Sequence, residues 1–450
     1  VNIFFRDPFE RMGSFPFPPR VYARMIDAIE NEYVLFDAVD AKEFDSWLDE
    51  LDSEPMGDRW RDRVETTHVY AIEVDARTGP QFAQAWLASN SLEKLGDWLE
   101  IHLKQNPDGP AWVYDNIVGD PEPATAEVKS PRTDVKQALT RSTDLTPYKA
   151  SDADIRNALS SPSVSEIFVL DVGQGSANAL VNASNQVIVY VDLGAGVLKN
   201  STTWSSGMTG VCVCHKPPII LSHWHYDHFH GANKHGFTAA RGMTWIAPMQ
   251  KIGAGPQSAM VKSITSPGPG TTPAGTLMIW GGAPGATISA GNLQLERCRN
   301  TGPKPDMNRN GIAVWVRPRN NPILLPGDAG YIDIDKLVAG RIPSSFAVAH
   351  HGGRVAGTPP RKLGTGTPRI ALSYGRGNSH GHPLSGTITA LTTVGWTIGS
   401  SGSPTDERRT EDRKRAAPSG SGLGHIGLNW STHTGTTYSC GCGATLSPTQ

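Results

Sequence analysis

The densest chemistry in the chain is Ser222-His223-Trp224-His225-Tyr226-Asp227-His228. Three imidazoles and one carboxylate fall within six residues, directly after the apolar run Ile219-Ile220-Leu221. Imidazole nitrogen and carboxylate oxygen are the donors that Zn²⁺, Mn²⁺ and Fe²⁺ accept. In an extended segment His223 and His225 project to the same side, so both can reach one ion. A turn then lets Asp227 and His228 reach a second. The competing reading is a chance His-rich turn, but burying four such side chains without a cation would be costly.

Other segments carry residues of the same kind. Asp171-Val172-Gly173-Gln174-Gly175-Ser176-Ala177 and Val191-Asp192-Leu193-Gly194 each follow a β-branched run. Asn308 to Val314, Leu324-Leu325-Pro326-Gly327-Asp328, Ala349-His350-His351-Gly352-Gly353 and Leu372 to Pro383 complete the set. The order H-x-H-x-D-H, then a Gly-Asp turn, then tandem His on a Gly-rich turn, resembles the metallo-β-lactamase superfamily. The segments together are most similar to the branch that includes the C-terminal domain of the ComEC competence proteins. The resemblance runs from about residue 165 to 398 and leaves the first 155 residues uncovered.

That resemblance implies an αββα sandwich and two divalent ions, Zn²⁺ or Mn²⁺. His223 and His225 would hold the first ion; Asp227 and His228 would hold the second. Asp328 would bridge the two. One of His350 and His351 would complete the second site, and His350 is favoured, because neighbouring side chains on a strand point to opposite faces. Its neighbour would flank the cleft. Asn378 and His382 would sit at the cleft mouth, binding substrate oxygens or protonating the leaving group. With Asp227 they form the expected catalytic set. Gly173-Gln174-Gly175 lacks the third glycine of a dinucleotide fingerprint and reads as a tight turn beside the cleft.

The sequence also departs from the pattern. Ser176 replaces an acidic residue, and Gly311 and Gly353 each replace a serine. No histidine lies between His235 and Asp328, where many superfamily members supply a third imidazole to the first ion. That ion is expected to be weakly held, or completed by substrate.

The elements that must position these groups are short. Glu166–Val172, Val187–Asp192, Ile219–Leu221, Leu293–Glu296, Ile312–Val316, Ile323–Leu325, Phe346–Ala349 and Arg369–Ser373 read as strands. Residues 253–290, rich in Gly, Pro, Ala and Thr, read as a surface excursion. Residues 400–424 read as a mobile loop, and 426–438 as a closing hairpin. Ahead of the core, Val21 to Leu51 reads as mostly helical and 64–74 as a half-buried strand. Leu92, Leu95, Leu99 and Leu103 recur at helical spacing, and residues 105–160 read as a linker. The expected organisation is therefore a small α+β N-terminal domain over 1–155 and a hydrolase domain over 160–450, the latter able to stand without the former.

Composition adds limits. The chain has 450 residues with 43 acidic and 41 basic side chains. Of these, 28 acidic and 16 basic lie in residues 1–150, which leaves the remainder net basic. Such asymmetry suits either a polyanion-binding face or two mutually attracting domains. No apolar run reaches the length of a membrane span, and the first twenty residues show no secretory pattern. The five cysteines are few and odd in number, which fits a reducing, cytoplasmic setting. Cys212-Val213-Cys214 and Cys440-Gly441-Cys442 would make a four-thiolate zinc site only with unusual spacing; one face of a strand is the plainer reading of the first pair.

The expected activity is hydrolysis by a metal-bound hydroxide. The resemblance favours phosphodiesters, in nucleic acid or a small molecule. Small esters, lactones or phosphoesters are the alternative. A further reading makes the acidic N-terminal region a docking module for a protein partner.

Overall fold

The computed structural model describes residues 17–29, 33–51, 67–77, 97–117, 120–205, 207–234, 236–266, 274–301, 306–318, 321–363, 368–398, 406–410, 424–428, 438–439 and 445–446. Two compact units emerge. One draws on Val1–Pro147 and Lys251–Thr271, the other on Tyr148–Gln250 and Thr272–Gln450. Among the described residues no helix is long and apolar enough to cross a membrane.

The first unit is built on a closed barrel of six strands in the order β1-β2-β3-β5-β6-β4. These are β1 (Arg20–Ile29), β2 (Tyr33–Asp40), β3 (Val69–Asp75), β4 (Leu99–Gln105), β5 (Ala111–Asp115) and β6 (Glu122–Lys129). Alternate residues fill its interior: Val21 and Ala23, Val34 and Phe36, Ile72 and Val74, Ile101 and Leu103. Tyr22, Val39 and Val69 face outward into a second cluster with Phe44, Leu139 and Ala259. That cluster draws on α1 (Ala41–Leu51), α2 (Thr133–Ser142) and the helix Pro256–Thr265.

Several sequence expectations change here. Residues 21–29 and 33–40 are strands rather than helix, and α1 is helical. Leu99 and Leu103 lie on β4, because a spacing of four also fits a two-residue repeat. Leu92 and Leu95 fall outside the described residues. The supposed linker supplies β5, β6 and α2. The supposed surface excursion supplies a largely buried helix, Pro256–Thr265, whose first turn is tied down by Asp37. The buried Asp37 carboxylate accepts from the main-chain N–H of Gly255 and of Gln257.

The second unit holds two sheets. The first contains β7 (Lys149–Ala150), β8 (Glu166–Val169), β9 (Ala177–Val181), β10 (Val187–Leu193), β11 (Ile219–Ile220), β12 (Thr244–Pro248) and β13 (Thr276–Trp280), closed at one edge by Ile426–Gly427. The second runs in sequence order through β14 (Thr287–Ala290), β15 (Leu293–Arg297), β16 (Ile312–Val316), β17 (Ile323–Leu325), β18 (Ser345–Ala347), β19 (Ile370–Leu372) and β20 (Glu407–Arg409). Leu180, Val189 and Ile246 from the first sheet share one apolar core with Leu295, Val314 and Leu325 from the second. β20 falls inside the stretch expected to be a mobile loop; most of that stretch, like most of the expected closing hairpin, lies outside the described residues.

Both sheets change sense partway across. In the first, β8, β9 and β10 pair antiparallel, whereas β10, β11, β12 and β13 pair parallel. In the second, β14 to β17 are antiparallel and β17 to β20 are parallel. Parallel strands are covered on both faces and read as continuous apolar runs, as Ile219-Ile220 and Ile323-Leu324-Leu325 do. Their carboxyl ends are where such sheets leave a crevice for ligands.

Candidate metal centre

Five of these carboxyl ends carry the candidate residues. β10 carries Asp192 as its last residue but one, β11 releases Ser222 to His228, and β17 releases Asp328. β18 releases His350 and His351, and β19 releases Ser373 to His382. Tight backbone approaches hold the segments together. A Cβ on Gly194 would sit 1.7 Å from the carbonyl oxygen of Asp227, so no side chain fits there. A Cβ on Gly311 would lie 2.4 Å from the carbonyl oxygen of Ser222, so a side chain is excluded there too.

The donor atoms converge in two groups. His223, His228 and Asp328 form one; Asp227, His228 and His351 form the other. The His228 Nε2 lies 3.2 Å from Asp328 Oδ1, and the His351 Nε2 lies 3.2 Å from Asp227 Oδ2. The His223 Nε2 lies 3.8 Å from Asp328 Oδ2. These three Nε2 atoms are buried, and none makes a hydrogen bond. Donors about 2.1 Å from one tetrahedral Zn²⁺ lie about 3.4 Å from each other, so the spacing is that of ligands around a cation.

The far sides of the rings decide which nitrogen carries the proton. The His228 Nδ1 lies 2.8 Å from Asp192 Oδ2, and the His351 Nδ1 lies 2.8 Å from the carbonyl oxygen of Ser373. The His350 Nδ1 lies 3.3 Å from the carbonyl oxygen of Arg354. These oxygens only accept, so each Nδ1 donates, and in its neutral form each ring turns an Nε2 lone pair toward Asp227 or Asp328. A lone pair aimed at a carboxylate is repulsive unless a proton or a cation lies between them. The donor set therefore fits divalent metal.

Electrostatics point the same way. Burial opposes charge on His228, but Asp328, Asp192 and Asp227 outweigh it and hold its pKa well above the ordinary histidine value. His351 is likewise raised against its burial, by Asp328 and Asp227. Burial pushes His223 well below the usual value, helped by His228 and His225. Asp328 and Asp227 stay ionised despite burial, held low chiefly by His228 and then by His351. A compact site with one buried and one partly exposed carboxylate and competing imidazoles needs positive charge that its histidines share unevenly.

The expected residues are distributed as follows. His351, rather than the favoured His350, faces Asp227 and His228. The strand argument fails because the chain turns at this point: His350 and His351 have consecutive left-handed backbones, with φ of 52° and 55°. Both rings therefore stay near Asp328, with the His350 Nε2 3.8 Å from Oδ2. His225 is buried with its ring centroid 4.6 Å from that of His223, and it belongs to neither ligand group. Asn378 does not offer its amide to a cleft. Its Nδ2 donates to the carbonyls of Gly375 and His382, and its Oδ1 accepts from the His382 N–H, so it braces the turn. His382 lies beside the tandem histidines, its ring 5.6 Å from His350 and stacked on His351 at 6.4 Å. Burial, with the neighbouring His350, His351 and His380, lowers its pKa to about 2, so it is neutral.

Sequence reasoning missed Asp192. It is fully buried, with φ of 59°, and its two oxygens accept from the Ser222 N–H and hydroxyl and from His228. Its place at the end of a β-branched run was the available signal. Ser373 was missed as well; its carbonyl aligns His351 and its hydroxyl donates to the Gly175 carbonyl. The Cys212 thiol is buried, and Cys440 and Cys442 lie outside the described residues.

No family model matches the chain, and no curated protein matches it. Among solved structures it is similar in part to a metallo-β-lactamase mutant from Cronobacter sakazakii, at 15% identity over 40% of this chain and 74% of that one, with a TM-score of 0.23. It is also similar to Zn²⁺-bound PqqB from Methylobacterium extorquens, at 7% identity over 41% of this chain and 72% of that one, with a TM-score of 0.26. A mutant of the CmlA β-hydroxylase aligns at 11% identity over 42% of this chain and 36% of that one, with a TM-score of 0.24.

Proposed function

We propose that this chain is a metal-dependent hydrolase with the αββα metallo-β-lactamase arrangement, of the ComEC-like kind, acting on phosphodiesters. The observation that carries the metal reading is the convergence of three buried, unbonded Nε2 atoms on two carboxylates. Asp227, His228, His351 and the Oδ1 of Asp328 would hold one ion. His223 and the Oδ2 of Asp328 would hold the other, with His225 and His350 as its nearest further imidazoles. Bound divalent metal supplies Lewis acidity and a water acidified toward neutral pH.

The chain's own groups do the rest. Asp192 and Ser373 keep His228 and His351 in the tautomer whose lone pairs face the centre. The Asp227 side chain is 22% exposed against 3% for Asp328, so Asp227 is the carboxylate that an incoming water can meet and donate a hydrogen bond to. His382, neutral and beside the tandem histidines, can offer an N–H to a leaving oxygen.

A phosphodiester is supported by charge. Residues 151–450 are net basic. The exposed Arg354 follows the tandem histidines by three positions, and the exposed Arg376 sits in the turn that Asn378 braces. Small esters, lactones and phosphoesters remain the second reading, since one centre serves several electrophiles. Zn²⁺- and Mn²⁺-loaded protein should be incubated with bis-p-nitrophenyl phosphate, single- and double-stranded DNA, RNA, and ester and lactone panels. Turnover of a diester lost on chelation supports the proposal. Turnover confined to lactones or carboxylic esters contradicts it.

A further inference from the structure

The Gly173-Gln174-Gly175 turn has a use beyond close backbone approach. Gln174 is buried at 2% exposure, and its Nε2 lies 3.0 Å from the His382 Nδ1. We infer that Gln174 is a positioning residue that fixes His382 as its Nε2–H tautomer, so that this imidazole faces the tandem-histidine turn as a hydrogen-bond donor. The donor role rests on the metal-centre reading; the tautomer itself does not.

The pair is held from both ends. The Gln174 main-chain N–H donates to the Thr203 hydroxyl, which donates in turn to the Asn200 carbonyl. The Asn200 side-chain oxygen accepts from the Ser379 N–H, and Asn378 clamps the backbone of His382 itself. The backbones that carry Gln174 and His382 are thereby fixed, and the Gln174 amide meets the Nδ1 edge of the ring. Its Nε2 lies on the side of the tandem-histidine turn, where a Cβ on Gly353 would come within 2.8 Å of it.

The direction of the hydrogen bond follows from counting donors. With the amide NH₂ donating to Nδ1, Gln174 leaves its buried Oε1 and one amide hydrogen without a partner. With the amide reversed, Oε1 would accept from an Nδ1–H and both amide hydrogens would be buried unpaired. Each arrangement strands two sites, but the reversed one strands two donors, and a buried N–H without a partner is rarer than a carbonyl oxygen without one. Nδ1 is therefore the acceptor, and the ring proton sits on Nε2.

The test uses the full chain, Zn²⁺-loaded, with ¹⁵N-labelled histidine. Long-range ¹H–¹⁵N correlation reads the tautomer of each ring, and His382→Asn identifies the His382 signal. Wild type should show Nδ1 unprotonated and Nε2 protonated. Gln174→Glu places a carboxylate against Nδ1 and should move a proton onto it, with metal content unchanged and turnover of bis-p-nitrophenyl phosphate reduced about tenfold or more. An Nδ1–H tautomer in the wild type overturns the inference, and that reading requires no variant to fold. A His382 tautomer left unchanged by Gln174→Glu overturns it too. A correct tautomer in a protein that hydrolyses no diester would leave the positioning intact and sink only the substrate reading.

Discussion

His350 and His351 reach different oxygens of the same carboxylate. The His350 Nε2 lies 3.8 Å from Asp328 Oδ2, and the His351 Nε2 lies 3.8 Å from Asp328 Oδ1. Adjacent residues on a strand could not do this. Two successive left-handed residues after β18 make it possible, a conformation that costs on the order of 1–3 kcal/mol per residue and persists where a site requires it.

The two histidines should consequently serve different ions. His351→Ala should empty the group shared with Asp227 and His228, and remove activity with it. His350→Ala should weaken the ion on the His223 side and leave the other in place. Metal analysis of both variants checks this; loss of the same ion from both would contradict the division.

Asp192→Asn should lower metal affinity about 10–100-fold, because the amide no longer holds His228 in the tautomer that ligates. Competition with a chromogenic zinc chelator measures it. An unchanged affinity would mean that His228 is oriented by Ser222 alone.

Asp227→Ala should abolish turnover while the far-ultraviolet circular dichroism stays that of the parent, since Asp227 packs into no apolar core. Near-parental rates on the substrate that the wild type cleaves would remove Asp227 from the mechanism.

A chain beginning at Tyr148 should be poorly soluble, contrary to the expectation from the motif positions alone. Lys251–Thr271 belongs to the barrel unit, where Ala254 and Ala259 pack with Tyr22, Phe44 and Leu139, and Asp37 caps the helix. Asp37→Ala tests the same contact in the intact chain. Thermal denaturation should show a loss of about 1–3 kcal/mol, the cost of stranding buried donors. A soluble, well-folded chain from Tyr148 with no change at Asp37→Ala would contradict this.

What the sequence made legible follows from how local each signal was. His223 to His228 stand out as candidate metal donors because four such side chains share six positions. Ile219-Ile220 and Ile323–Leu325 declare buried strands because nothing polar interrupts them. Asp192 and Gln174 stayed hidden because their roles depend on His228 and His382, which lie 36 and 208 positions away. The barrel stayed hidden because Leu99 and Leu103 satisfy a helical and a strand repeat equally. The turn at the tandem histidines stayed hidden because no residue type announces a non-glycine left-handed backbone.

The claim tested most directly is that the convergent donors hold metal. Full-length protein should be loaded with Zn²⁺, desalted and analysed for bound metal against protein concentration. The account predicts about two equivalents per chain, falling to about one or fewer in Asp328→Ala, which removes the carboxylate that both groups face. A wild-type chain that retains no Zn²⁺ and takes up no Mn²⁺ would contradict it.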